Sequence, residues 1–177
     1  MELILAFDQQ MFLILNHLPH AGFSNVLALA ISGIGTAGII WFLITAVLFI
    51  KEEKKDHWFL LPFMGAGVTS WALVELILKP LVARVRPTEL MGAIIVGSTS
   101  HDFSMPSGHA TIAFAMATVL SQKEPKWRWL FFSLAILISL SRIYLGKHYP
   151  LDVIMGGFIG AAIGSLSHRV TNKHVQA

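Results

Sequence analysis

The chain has 177 residues, 55% of them hydrophobic and 13% charged, with a mean hydropathy of +0.67, a formal net charge of +3 and no cysteine. Soluble domains carry about a quarter charged residues, so this composition implies a single compact helical domain solvated mainly by lipid. It excludes disulfides, thiolate nucleophiles and cysteine-held metals. The basic residues stand at the ends of apolar runs and form no soluble stripe, which argues against nucleic acid as a partner.

Residues 1–24 contain no Lys or Arg, which argues against a cleaved signal peptide with a basic leading region. Asp8, Gln9 and Gln10 lie among Leu3, Ile4, Phe7, Met11, Leu13, Ile14 and Leu15. That amphipathic mix predicts an interfacial helix on the membrane surface, with a spanning helix as the alternative. Residues 25–50 run for 26 positions without a charge, more than the ~20 a span requires, and predict the first transmembrane helix. A polar hairpin follows at 51–57, then spans at 58–78 and 107–122, a second hairpin at 123–128, spans at 129–145 and 151–167, and a polar tail at 168–177. Gly156, Gly160 and Gly164 recur every four residues on the last span and make three notches on one face for close packing. The expectation is an all-α integral membrane helical bundle, one domain over residues 1–177. It has about five transmembrane helices in a core of residues 25–167 plus the N-terminal interfacial helix, or six spans if that helix crosses.

Counting turns puts residues 51–57, 123–128 and 168–177 on one side. That side holds eight of the thirteen Lys and Arg: Lys51, Lys54, Lys55, Lys123, Lys126, Arg128, Arg169 and Lys173. The positive-inside rule makes it, and the tail, cytoplasmic. The other five, Lys79, Arg84, Arg86, Arg142 and Lys147, gather with His109, His148 and Asp152 at the outer face.

Ionisable groups near hydrocarbon are costly, about 2.5–3.5 kcal/mol at mid-bilayer on insertion scales, so these residues suggest a task. Lys79 and Arg86 each precede a proline, which places both at expected helix breaks. Glu75, four residues before Lys79, has the favourable spacing to neutralise it. Pro106, Ser107, Gly108 and His109 open a helix, whose free N–H groups, close backbone approach and Ser107 hydroxyl suit an anion, with His109 able to deliver a proton. His148 and Asp152 are four apart around Pro150. The carboxylate can take one imidazole N–H and leave the other nitrogen unprotonated. Arg142 adds a planar fork of donors suited to phosphate. His and Asp also serve membrane proton relays, so that third motif alone leaves both chemistries open.

The combined pattern, Lys79-x6-Arg86-Pro87, then Pro106-Ser107-Gly108-His109, then Ser141-Arg142-x5-His148-x3-Asp152, resembles the signature of the type 2 phosphatidic acid phosphatase superfamily. In size it is most similar to the small bacterial members often assigned as undecaprenyl-diphosphate phosphatases. Many relatives read ARPRP where this chain has Ala83-Arg84-Val85-Arg86-Pro87. The resemblance implies that His148 attacks phosphorus, Asp152 orients it and His109 protonates the leaving oxygen. Lys79, Arg86, Ser107, the Gly108 N–H and Arg142 would hold the phosphate. It implies a lipid phosphate substrate in the bilayer, foremost undecaprenyl diphosphate, with phosphatidylglycerol phosphate, phosphatidic acid or transfer to an alcohol as alternatives. No cofactor or metal is expected, since Asp152 is the only acid in the three motifs, and no obligatory protein partner is evident. A small anion transporter is the non-enzyme alternative, but its helices should break in mid-membrane, whereas these charges cluster at one face. Vanadium haloperoxidases share a similar signature, but they are soluble and longer.

Because the chain has no cysteine, single cysteines at positions 54 and 99 report its topology. A membrane-impermeant thiol reagent on intact cells is expected to label position 99 and spare position 54, and the reverse pattern would invert the orientation.

Overall fold

The structure is a computed structural model that describes residues 2–51, 59–98 and 102–175. Most of the first polar hairpin, the start of the span placed at 58, Thr99, Ser100 and the last two tail residues lie outside the described residues. Among the described residues seven main helices form the fold: α1 (Glu2–Asn16), α2 (Gly22–Gly35), α3 (Ile39–Lys51), α4 (Leu60–Val82), α5 (Gly108–Lys123), α6 (Arg128–Tyr144) and α7 (Pro150–Val175). No strand occurs among the described residues. Large apolar side chains such as Phe23, Ile50, Trp129 and Phe158 are more than two-thirds exposed, as a lipid-solvated surface requires.

The long apolar run at 25–50 is not one straight helix. It bends by 60° between α2 and α3, through a tight turn at Thr36–Gly38. Gly38 has φ +75°, a left-handed geometry that ends a helix at little cost only for glycine. Gly35 sits so close to α6 that a Cβ there would lie 2.6 Å from Ile138 Cγ2. Among the described residues three segments, Leu60–Val82, Pro125–Tyr144 and Pro150–Thr171, are long and apolar enough to cross, and the bent pair makes a fourth if counted as one span. The expected third span, α5, has 16 residues, about 24 Å at 1.5 Å per residue. It is the central helix of the bundle, with Ala110, Ala113, Ala115, Ala117 and Leu120 all buried among α4, α6 and α7.

Lys79 is not at a helix break. Its N–H bonds the carbonyl of Val74, five residues back, at the end of a wide π turn over Leu73–Leu78. This loosened ladder lets the helix pass Pro80, whose ring otherwise crowds the preceding turn. The break comes at Ala83, in the left-handed region at φ 49°.

Two polar residues of α1, Asp8 and Asn16, point inward. Asp8, Phe12 and Asn16 form its buried stripe, whereas Leu3, Ile4, Phe7 and Ile14 are exposed. Protein rather than water therefore covers Asp8 and Asn16. Asn16 ties α1 to two distant segments, donating to Ile94 O and Tyr144 O at 2.9 Å each and accepting from Ile94 N–H at 2.7 Å.

The α5–α7 seam sets the geometry of the site end. A Cβ on Gly156, Gly160 or Gly164 would lie 2.7 Å from Ser107 O, 2.1 Å from Thr111 O and 2.5 Å from Ala115 O, respectively. The three notches therefore receive the α5 backbone itself. Gly160→Ala is expected to destabilise the protein by about 1–3 kcal/mol or more through overpacking. In detergent its thermal midpoint should fall by several degrees, while Gly33→Ala, with nothing within 4 Å of the added Cβ, should not lower it.

Candidate active site

Four chain segments converge at one end of the bundle: the α4 terminus with the extended chain after it, the start of α5, the end of α6, and the turn into α7. The first seam between them is backbone to backbone, with Ser107 N–H donating to Asp152 O at 2.9 Å. Gly146 closes the turn after α6 at φ +72°, where a Cβ would meet Ile94 O at 2.5 Å. Glycine is therefore required both for its backbone angle and for space.

His148 is 1% exposed. Its Nδ1 lies 2.8 Å from Ser104 O and 3.7 Å from Asp152 Oδ2. A carbonyl only accepts, so Nδ1 carries the proton and Nε2 keeps its lone pair. Asp152 was expected to take the imidazole N–H directly, but the Ser104 carbonyl has that role. Asp152 instead receives the Ser104 hydroxyl, Tyr149 N–H at 2.8 Å and Arg84 Nη1 at 2.7 Å. His148 Nε2 lies 3.2 Å from Arg86 Nη1, so the arginine expected to hold phosphate borders the expected nucleophile.

Arg86 also donates to Lys147 O at 2.6 Å and grips the Asp102 carboxylate at 2.9 and 3.0 Å. Lys79 is buried; it pairs with Glu75 at 2.8 and 2.9 Å, as its spacing predicts, and also with Asp102. Burial alone would raise the Asp102 carboxyl, but bonds from Lys79 and Arg86 outweigh it and hold the group well below the usual carboxylate range. Asp102 thus bridges two of the cations expected to bind phosphate.

The remaining donors stand open. Ser107 precedes α5 as its N-cap residue but makes no side-chain cap bond. Its buried Oγ has no hydrogen-bond partner. Arg142 donates through Nη1 to Ser32 Oγ at 2.6 Å, while its buried Nε has no partner. Buried unpaired donors are expensive, which is consistent with a site built to receive an acceptor-rich ligand. Gly108 begins α5 with Glu75 Oε1 2.9 Å from where a Cβ would be. His109 Nε2 lies 3.3 Å from Thr36 Oγ1, and Thr36 in turn donates to Ser32 O at 3.2 Å. The broken α2–α3 junction therefore links His109 to the Arg142 side of the site.

All eight expected residues lie in this one region. The sequence reading placed Arg84 at this face without a role, and it missed Asp8, Ser32, Thr36, Asp102 and Ser104. Asp8 carried a usable signal, as an acid inside an apolar segment with no basic neighbour in sequence. Residues 87–98, after Arg86, are fastened by Val96 N–H to Leu145 O at 3.2 Å, His17 to Gly92 O at 2.8 Å and Lys147 Nζ to Ser98 O at 2.5 Å. Beside the cradle lies a cavity of about 560 Å³ lined in part by Arg86, Glu89, Asp102, Phe103 and Lys147.

A family model described as the PAP2 superfamily matches residues 59–176. An undecaprenyl-diphosphatase of Sulfolobus acidocaldarius is 31% identical over 137 residues, which are 74% of this chain and 63% of that protein, so the chain spans less than two thirds of that relative. The crystal structure of Aquifex aeolicus LpxE matches with a TM-score of 0.72 at 31% identity, covering 90% of this chain and 93% of the other. The first transmembrane PAP2 type phosphatidylglycerolphosphate phosphatase from Bacillus subtilis matches with a TM-score of 0.73, covering 98% of this chain and 88% of the other. At 22% identity that likeness shows the fold alone. Together with the apolar helices, these likenesses make the chain a multi-pass membrane protein of all-helical architecture.

Burial, assisted by the charges of Arg86 and Arg142 and opposed by Asp152, pushes His148 down to about 4. The imidazole is therefore neutral at pH 7 and becomes charged only as the pH falls through that value. In ¹⁵N spectra assigned by comparison with His148→Gln, the Nδ1–H tautomer is expected to persist from pH 7 to pH 5. A midpoint near the ordinary histidine value of about 6.5 would contradict the buried geometry.

Proposed function

Because the chain belongs to the PAP2 superfamily, we propose that it is a lipid phosphatase that hydrolyses a lipid phosphate or diphosphate through a phosphohistidine at His148. One observation carries this reading. His148 donates from Nδ1 to the Ser104 carbonyl and turns its unprotonated Nε2 toward Arg86, in a site where Ser107 Oγ and Arg142 Nε are buried without partners.

In the first step Nε2 attacks phosphorus, the bond from phosphorus to the leaving oxygen breaks, and His109 gives that oxygen a proton. In the second, His109 takes a proton from water, the resulting hydroxide attacks phosphorus, the P–N bond breaks and inorganic phosphate leaves. Arg86 turns its donors from Nε2 and Asp102 to the phosphate oxygens, joined by Lys79, Ser107 Oγ, the Gly108 N–H and Arg142. Phosphoryl transfer needs chiefly positioning and fixed positive charge, which this set supplies without a metal.

The substrate we favour is undecaprenyl diphosphate, cleaved to the monophosphate at the outer face of the cell membrane. The cavity of about 560 Å³ beside Arg86 and Lys147 supports a substrate with a second phosphate. The excess of Lys and Arg toward the opposite end, which the positive-inside rule favours as cytoplasmic, supports the outward site. The runner-up is a glycerolipid monophosphate, either phosphatidylglycerol phosphate or phosphatidic acid.

The test is phosphate release by purified protein in matched micelles of the three lipids, with and without EDTA. Turnover should persist in EDTA, vanish in His148→Ala and fall by about 10²–10⁴-fold in His109→Ala as a general acid is lost. Full activity in His148→Ala, or loss in EDTA that magnesium restores, would sink the mechanism. A kcat/KM at least about tenfold higher for a glycerolipid monophosphate, worth about 1.4 kcal/mol of transition-state binding, would move the assignment to the runner-up.

A further inference from the structure

Asp8 lies 51 residues before the segment matched by the family model, which begins at residue 59, yet it is 2% exposed and aimed into the site. Its Oδ2 accepts from Arg84 Nη2 at 2.5 Å, and its Oδ1 accepts from Leu151 N–H at 2.8 Å. The opposite edge of the same guanidinium, Arg84 Nη1, donates to Asp152 Oδ1 at 2.7 Å. The face of Arg84 rests on Tyr149, 4.1 Å from the ring centroid. A planar cation is thus held on two edges and one face.

The chain of contacts ends at His148 without a direct bond from Asp152. Asp152 takes the Ser104 hydroxyl, Ser104 N–H donates to Arg84 O at 2.7 Å, and Ser104 O accepts the His148 Nδ1–H. Ser104 is fixed through Asp152 and through the Arg84 backbone, and the imidazole is fixed through Ser104. Asp8 holds both ends of this arrangement, because its other oxygen pins the first turn of α7 beside the His148 loop. From this geometry we infer that Asp8 is a positioning residue for His148, acting through Arg84, Asp152 and Ser104. Among the α1 side chains, Asp8 is the one that reaches Arg84 and the first turn of α7.

The physical reason is charge in a dry site. With one carboxylate, Arg84 would have an edge buried and unpaired, and truncating one partner of a buried charge pair leaves the other uncompensated. Arg84 would then draw Asp152 toward both of its edges, and Ser104, held by Asp152, would move with it. The imidazole would lose its aim, which affects the chemical step more than the binding of substrate.

This inference rests on the proposed phosphohistidine mechanism. The experiment compares wild type, Asp8→Asn, Asp8→Glu and Asn16→Ala in the lipid phosphatase assay. Each kcat is expressed per folded molecule, with KM and thermal midpoint measured alongside and His148→Ala as the blank. Asp8→Asn keeps an acceptor for Leu151 N–H but loses the charge facing Arg84; kcat should drop by 10- to 100-fold with KM changed less than threefold. Asp8→Glu should restore at least a third of the lost activity on a logarithmic scale. Asn16→Ala loosens α1 from Ile94 and Tyr144 and should lower the thermal midpoint while leaving kcat within threefold of wild type. A wild-type kcat in Asp8→Asn, a loss in Asn16→Ala equal to that in Asp8→Asn, or no recovery in Asp8→Glu overturns the positioning role and leaves the mechanism standing. If wild type releases no phosphate from any lipid, or His148→Ala matches it, the mechanism itself fails.

Discussion

Everything at the site end hangs on how closely α5 and α7 approach. Three glycines on α7 admit the α5 backbone, and at the top of that seam Ser107 N–H bonds Asp152 O. The start of one helix and the first turn of the other thereby become a single rigid unit. Ser107, Gly108 and His109 come from one side of it, and His148 and Asp152 from the other. A separation larger by one methyl group would part the anion-binding helix terminus from the imidazole. In lipid no hydrophobic force drives helices together, so close backbone packing of this kind has to supply the contact.

Charge in a poorly hydrated setting imposes a second constraint. Arg84 is neutralised by Asp8 and Asp152, and Lys79 by Glu75 and Asp102, which also pairs with Arg86. Arg142 differs: among the described residues it makes no carboxylate ion pair, and its Nε is unpartnered. The site therefore holds together as a fold while keeping positive potential in reserve. Lys147, whose Nζ is spent on the Ser98 carbonyl, is held down from its ordinary value by burial and by Arg142 and Arg86.

The parts of the site that were legible in sequence are those set by spacing along one helix. Glu75 and Lys79 pair at four residues, the α7 glycines share a face, and the Ser107–His109 segment starts a helix. What escaped depended on partners across the fold. His148 was assigned Asp152 because the two are four apart, but the Ser104 carbonyl lies closer to Nδ1, and no local pattern announces a backbone acceptor 44 residues away. Asp8 read as a solvated position on an amphipathic helix because periodicity reveals a face without saying whether lipid, water or protein covers it. The bend after α2 was foreshadowed by Gly33, Gly35 and Gly38 in the apolar run, but a count of uncharged residues passes over them. Proline was overread at position 80, where the π turn before it absorbs the misfit.

Asp102 has a consequence wherever free inorganic phosphate meets the site. Any anion that reaches Lys79 and Arg86 must displace a carboxylate already tethered to both, and that tether gives Asp102 a high effective concentration beside them. A small phosphate brings only its own charge to this competition. A lipid phosphate also brings the anchoring of its tail in the bilayer, so the internal carboxylate acts as a threshold that membrane-bound ligands cross more easily than soluble ones. On the proposed function, the same residue would speed departure of the product, returning to both cations as phosphate leaves and limiting inhibition by the accumulating ion.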